Sequence, residues 1–285
     1  MYLNTENQTR QRNDNESFLA AASAGAPDTL ALLLNEHGID INTVDRVRQT
    51  ALFHAIQAGC ENCALYLLQR GIDWQIHNRR GLRALHLAAG MGLDAVINWL
   101  VNAGDDVNVT RANIDTPLIA AVKHSQAGTA RYLLDVGANP NGRGVRNVTA
   151  LHVANAAAMT TMLLAAGADP DARDKDGETP LFGAARAANL EMMRILVDAG
   201  ADVDAVNEKK ETALFQTGQR GVIDAVDYLL GVGANPDMPG DSGRTLTAVA
   251  RRNSSLHTYM TARAMRGCID AALVNAVGIS PFFPE

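Results

Sequence analysis

One glycine recurs along this chain, at Gly38, Gly71, Gly104, Gly137, Gly167, Gly200 and Gly233, at intervals of 33, 33, 33, 30, 33 and 33 residues. A second series keeps the same phase: Thr50-Ala-Leu, Arg83-Ala-Leu, Thr116-Pro-Leu, Thr149-Ala-Leu, Thr179-Pro-Leu and Thr212-Ala-Leu. Two independent markers sharing one period indicate stacked units, each too small to bury a core alone. The repeat therefore overrides the one or two globular domains that 285 residues would otherwise suggest.

Each unit follows from local chemistry. A Thr before the Ala-Leu or Pro-Leu pair is an N-cap whose hydroxyl accepts an orphan amide, and Pro117 and Pro180 occupy the first helical position, where no N–H is needed. Leu52 and Ala55, Leu85 and Ala88, and Leu118 and Ala121 are three apart and share a face, on which the small Ala permits close helix approach. Gly59, Gly92 and Gly221 break this first helix, and Leu67-Leu68, Leu133-Leu134 and Leu229-Leu230 mark the apolar side of a second. The period-marking glycine ends the second helix by supplying positive φ. A composition 47% hydrophobic but only 5% aromatic suits short helices packed closely.

With its 33-residue period and Thr-Pro-Leu signature, the pattern resembles the ankyrin repeat from Ser17 to Arg244. The resemblance implies an all-α solenoid of about seven to eight repeats, helix-turn-helix pairs with β-hairpin fingers, and about fourteen to sixteen helices in two layers. Units are expected near 17–49, 50–82, 83–115, 116–148, 149–178, 179–211 and 212–244. They are preceded by a polar, disordered tail over 1–16 and followed by a degenerate last repeat and capping helix over 245–285. The unit from Thr149 lacks three residues between its helix markers, nearly one turn, so its helix pair or the joining turn must shorten. The signature His survives as His86 and His152, replaced elsewhere by Phe53, Ile119, Phe182 and Phe215. Phe282 and Phe283 either fold back on the last repeat or form an exposed motif.

The net charge of −6 opposes general attraction to nucleic acid or membrane, yet the fingers carry a local excess of the other sign. The first four hold Arg46, Arg48, Arg79, Arg80, Arg83, Arg111, Arg143 and Arg146 against Asp45 and Asp115. Stacked side by side these make a basic edge suited to bidentate grip on carboxylate or phosphate, or else a merely solvated surface. Later fingers mix Arg173, Lys175, Lys209 and Lys210 with Asp174, Asp176, Glu208 and Glu211. On the inner helices His54, Leu87, Ala120 and Val153 are expected to face outward, with Met91 beside Leu87 offering an apolar receptor. Trp74, at a finger base, is either an anchor for a partner or a buried hairpin residue, while Tyr66 and Trp99 fall on second helices as core.

Chemistry of other kinds has less support. Cys60 and Cys63, in a C-x-x-C spacing, have no second ligand pair nearby and read as two packed helix thiols; with Cys268 they make an odd count that fits a reducing compartment, cytoplasm or nucleus. The seven histidines show no nucleophile, metal or acid–base spacing, so no cofactor and no metal are expected. His54, His86, His124 and His152 fall near equivalent helix positions, which keeps a composite catalytic site in the groove as a third alternative. The leading expectation is a monomeric protein-binding module for an acidic or mixed acidic and apolar segment. The second is a binder of a phosphorylated ligand or nucleic acid through the same arginines.

Overall fold

The computed structural model describes residues 2–111, 114–238, 240, 243, 245–251 and 253–277, with side chains from 11 to 265. The chain divides into two compact units, Met1–Asp169 and Pro170–Glu285.

The first unit contains α1 (Tyr2–Ser23), α2 (Pro27–Glu36), α3 (Ala51–Gln57), α4 (Glu61–Gln69), α5 (Ala84–Met91), α6 (Asp94–Asn102), α7 (Pro117–Lys123), α8 (Ala127–Asp135), α9 (Ala150–Val153) and α10 (Ala157–Ala165). The first helix of each pair packs on the next in series, α1 on α3, α3 on α5, α5 on α7 and α7 on α9, and each also packs on its own second helix. That serial contact is the inner layer. It is close because Ala55, Ala88 and Ala121 are fully buried between the helices, where a larger side chain would hold them apart. Phe53, Ile56, Leu67, Leu85, Ile97 and Leu100, all at most 1% exposed, fill the space between the layers, each contributing about 1.5–3 kcal/mol.

The second unit contains α11 (Pro180–Arg186), α12 (Leu190–Asp198), α13 (Ala213–Arg220), α14 (Ile223–Gly231), α15 (Leu246–Ala250) and α16 (Ser254–Val277). Here α11, α13 and α15 form the series, and Phe182, Phe215, Leu196, Leu229 and Leu256 the core. Sixteen α-helices stand among the described residues, at the upper end of the expected number. Phe282 and Phe283, and Pro239, Asp241, Ser242 and Arg244 of the last finger, lie outside them.

The finger hairpins among the described residues are short. Among the described residues the only strand pairing is two isolated bridges, Val44 with Thr50 and Val206 with Thr212. A side-chain acceptor does the folding instead. Asp45 Oδ1 accepts the N–H of Val47 and Gln49, and Asn78, Asp174 and Asn207 repeat the same pair of bonds in their fingers. Successive units are then tied at their bases: the Asp73 N–H donates to Asn42, Asn139 to Asn108 and Asp169 to Asn141 in the first unit, and Asp202 to Asp171 and Asn235 to Asp204 in the second.

Two expectations change. The disordered tail over 1–16 is instead most of α1, a 22-residue helix. Its end is fixed by burial of Phe18, Leu19, Ala21 and Ala22, and the segment has no Gly or Pro, so helix extends from that nucleus at little cost per residue. In the shortened unit, α10 keeps nine residues while α9 has only four, against seven or eight in α3, α5 and α7. The deletion falls wholly on the first helix.

Candidate functional site

The tips of the first two fingers are joined by a main-chain bond from the Arg79 N–H to Val47 O, 3.0 Å. Arg46 and Arg48 flank Val47, so the bond sets Arg46, Arg48, Arg79 and Arg80, all exposed, on two adjoining tips, with Arg46 lining the space beside α1 and Arg80 that between α5 and α7. Arg48 holds a left-handed φ of 67° to turn the tip. The carboxylate nearest in sequence, Asp45, is engaged: Oδ1 closes the turn and Oδ2 lies 3.3 Å from His54 Nε2. None of the ion pairs among the described residues involves these four arginines or the exposed Arg111. Arg143 and Arg146 are also exposed, on the fourth finger, where Arg143 Nη1 donates to Asn147 O at 3.2 Å. Asp115 steadies that finger by accepting from Val145 N–H and Lys123 Nζ. Gly144 permits this approach, since a Cβ there would stand 2.3 Å from Asp115 Oδ1.

Arg83 does not share the basic edge. Its guanidinium lies 2.8 Å from Asp105, whose side chain is fully buried, and over the Trp74 ring at 5.4 Å from the centroid. Trp74 is therefore half-buried under an arginine. Both Asp105 oxygens and Arg83 Nε still lack an aligned hydrogen bond, so the pair is held by charge proximity more than by a fork of bonds. Burial accordingly raises the Asp105 carboxyl to about 6, with Arg83 opposing. Sequence reasoning missed Asp105, although the signal was present. It stands where the other six repeats have Ile39, Ile72, Ala138, Ala168, Ala201 and Ala234, and Arg83 stands where the other helices start after Thr.

An open groove of ≈ 430 Å³ runs between α5 and α7, with Leu87, Met91 and Ala120 on its floor and Arg80, Lys123 and His124 at its edges. Met91 is 44% exposed. His86 forms the wall: its Nδ1 accepts the Arg83 N–H at 3.2 Å and Nε2 meets Val109 O at 3.0 Å, fixing a neutral tautomer, and burial lowers its pKa to about 4. Val153, half-buried on short α9, lies outside this groove. His54 is half-covered, with Nδ1 3.1 Å from Ser23 Oγ at the end of α1. Ser23, His54 and Asp45 thus follow one another as in a hydrolase triad, but Ser23 Oγ lies equally close to Leu19 O, at 3.0 Å, and His54 Nε2 makes no aligned hydrogen bond to Asp45.

A second cleft, of ≈ 640 Å³, separates α1 from the first finger and is lined by Leu19, Arg12, Val44, Arg46 and Val47. Its signal in the sequence was the pair Val44 and Val47, 41% and 49% exposed in a charged finger. Tyr66 and Trp99, expected as core, are half-buried on the outer helices, where Arg70 lies over the Tyr66 ring. Cys60 and Cys63, expected as separate thiols, are joined by a disulfide with Cα atoms 5.3 Å apart. The first turn of α4 brings them into range, which spacing alone had not decided.

Comparison with known proteins agrees with this geometry. The family model described as ankyrin repeats (3 copies) matches residues 3–78, 85–174 and 155–240. B-cell lymphoma 3 protein homolog of Mus musculus is 28% identical over 176 residues, 59% of this chain and 39% of that protein. Neurogenic locus notch homolog protein 1 of Danio rerio is 31% identical over 151 residues, 51% of this chain but 6% of its own length. This chain thus spans well under two thirds of these relatives. The crystal structure of the human ASB11 ankyrin repeat domain superposes with a TM-score of 0.66 at 26% identity, covering 77% of this chain and 98% of that one.

Proposed function

Since this chain belongs to the ankyrin-repeat family, whose repeats generally mediate protein–protein interaction, we propose that its first unit holds an acidic, partly apolar segment of another protein. Arg46, Arg48, Arg79, Arg80 and Arg111 grip its carboxylates, with Arg143 and Arg146 extending the edge, while Leu87, Met91 and Ala120 receive an apolar side chain. The observation that carries this reading is four exposed arginines on two tips joined through the main chain, none of them in an ion pair among the described residues. Single exposed ion pairs contribute about 0–1 kcal/mol, so selectivity requires several together plus a desolvated apolar contact. Trp74, Arg83 and His54 take a supporting part here, holding the scaffold instead of the partner, and Val153 is peripheral.

The test is affinity capture from native lysate with the full chain and with Arg46, Arg79, Arg80, Arg111 and Arg143 changed to Glu. Loss of the captured protein supports the reading; unchanged capture removes the basic edge from it. The same arginines also suit a phosphoryl group, so capture is repeated across a salt series. Binding that ignores peptide sequence and falls linearly in log–log with salt identifies a phosphorylated ligand or nucleic acid.

A further inference from the structure

Away from the finger arginines, the turn between α3 and α4 carries the Cys60–Cys63 bridge. Cys60 is the N-cap of α4 and half-buried, and its sulfur accepts the Cys63 N–H at 3.3 Å. Cys63, one turn into the helix, is fully buried. Of the two residues, Cys60 is therefore the one that reaches solvent. Gly25, which ends α1 with a φ of 63°, faces Cys60; a Cβ there would lie 3.3 Å from Cys60 Cβ and 3.6 Å from its sulfur, so no side chain at this position covers the bridge.

The backbone around the pair is held by bonds that do not involve sulfur. The Cys60 N–H donates to Ala55 O and Cys60 O accepts from the Ala64 N–H, each at 3.0 Å. Glu61 Oε1 accepts the Ala95 N–H at 2.9 Å, tying this turn to the start of α6. Opening the bridge consequently separates no elements, because both residues remain on one helical turn. The unpaired amides at a helix start also favour negative charge on a sulfur placed among them.

We propose that Cys60 and Cys63 are a reversible thiol–disulfide couple that exchanges with a low-molecular-weight thiol through the sulfur of Cys60. A thiolate RS⁻ attacks Cys60 Sγ, the protein S–S bond breaks, and its electron pair leaves on Cys63 Sγ, which takes up a proton. A second thiolate then attacks the R-bearing sulfur of the mixed disulfide, releasing RSSR and the Cys60 thiolate. The balance is one protein disulfide plus two RSH giving one protein dithiol plus RSSR, and the reverse reaction closes the bridge.

The test uses the full chain equilibrated in mixtures of reduced and oxidised glutathione, quenched with acid and alkylated with a mass-tagged maleimide. Mass mapping of proteolytic peptides, which separates the peptide holding Cys60 and Cys63 from the one holding Cys268, is expected to show the two thiols of the first lost and regained together as the mixture is varied in either direction. Failure to close in oxidised glutathione alone, or to reopen in reduced glutathione alone, overturns the proposal. Two variants assign the sulfur. Cys63→Ala is expected to take one glutathione on Cys60 at least about tenfold faster than Cys60→Ala takes one on buried Cys63. Equal rates, with both variants keeping the parent melting temperature, overturn the role given to Cys60. The titration of the unaltered chain reads the couple even if a variant unfolds.

Discussion

The second and sixth fingers share a backbone device but present different surfaces. Asn78 and Asn207 each accept two N–H groups within their own finger, and in each case the finger donates a further N–H to the one before, Arg79 to Val47 and Glu208 to Asp176. At the tip in the first unit stand Arg79 and Arg80 with Arg46 and Arg48; in the second unit Lys209 and Lys210 lie between Glu208 and Glu211. The second unit also uses its charges internally: Arg186 pairs with Glu178 at 2.8 Å, and Gln216 donates to Glu178 and Glu211. Turn geometry and tip charge are thus set by different residues. One can vary while the other is kept.

The largest effect expected from breaking this contrast is on binding. Changing Arg46, Arg79, Arg80, Arg111 and Arg143 to Glu reverses steering and adds repulsion, and should weaken capture by about 100-fold or more. Lys209→Glu with Lys210→Glu should change it less than about threefold, because those side chains already stand among carboxylates. Both variants should melt by circular dichroism close to the parent, since exposed substitutions usually change stability by within about 0.5 kcal/mol.

A second contrast sets the Arg83–Asp105 junction against the Thr and Ala found at equivalent positions of the second unit, Thr212 and Ala234. Arg83→Thr alone leaves a buried carboxylate without its cation and should cost about 3–5 kcal/mol in urea unfolding. Adding Asp105→Ala should return most of that loss or exceed the parent, because a buried ion pair replaced by apolar packing is often neutral or stabilising. If the double variant is less stable than Arg83→Thr, the pair is not a self-contained substitution.

The same junction governs acid response. His86 has its pKa lowered from 6.5 to about 4, so its contribution is complete above 6.5 and lost as pH falls towards 4. Asp105 is raised from 3.8 to about 6, so its contribution is present below 3.8 and lost as pH rises through 6. Across their overlap the two slopes oppose, and the parent should show little change from these groups. The Arg83→Thr, Asp105→Ala variant should lose up to about 3 kcal/mol between pH 7 and 4, and His86→Ile in that background should abolish the loss. Stability that stays flat in the double variant would contradict the role given to His86.

The smallest effects concern the caps. Thr116 and Thr212 accept the N–H groups of Ile119 and Phe215, so Ala at either should cost about 1 kcal/mol. Thr179 makes no cap bond, and its hydroxyl is buried without a partner, so Thr179→Ala should be near neutral or slightly stabilising by thermal melting.

What the sequence determined by itself is the repeat and its local punctuation. The six marker residues, Thr50, Arg83, Thr116, Thr149, Thr179 and Thr212, each immediately precede a helix, because helical periodicity depends on neighbours within one turn; the expected cap bond forms at Thr116 and Thr212 but not at Thr50 or Thr179. The shortened unit was legible for the same reason, though not that α9 alone would absorb the loss. Tertiary structure decided how residues far apart in the chain divide their roles. Arg83 and Asp105, 22 positions apart just before α5 and just after α6, meet only when that helix pair folds back on itself, which turns an arginine of the basic edge into an internal one. Val47 and Arg79 meet only when the fingers stack, and that contact sets four arginines on adjoining tips. Likewise α1 extends through a segment polar enough to read as a tail because Phe18 and Leu19, buried at its far end, hold the helix in place. Local signals determine where each helix starts, while partner choice depends on which surfaces stacking brings within a few ångströms.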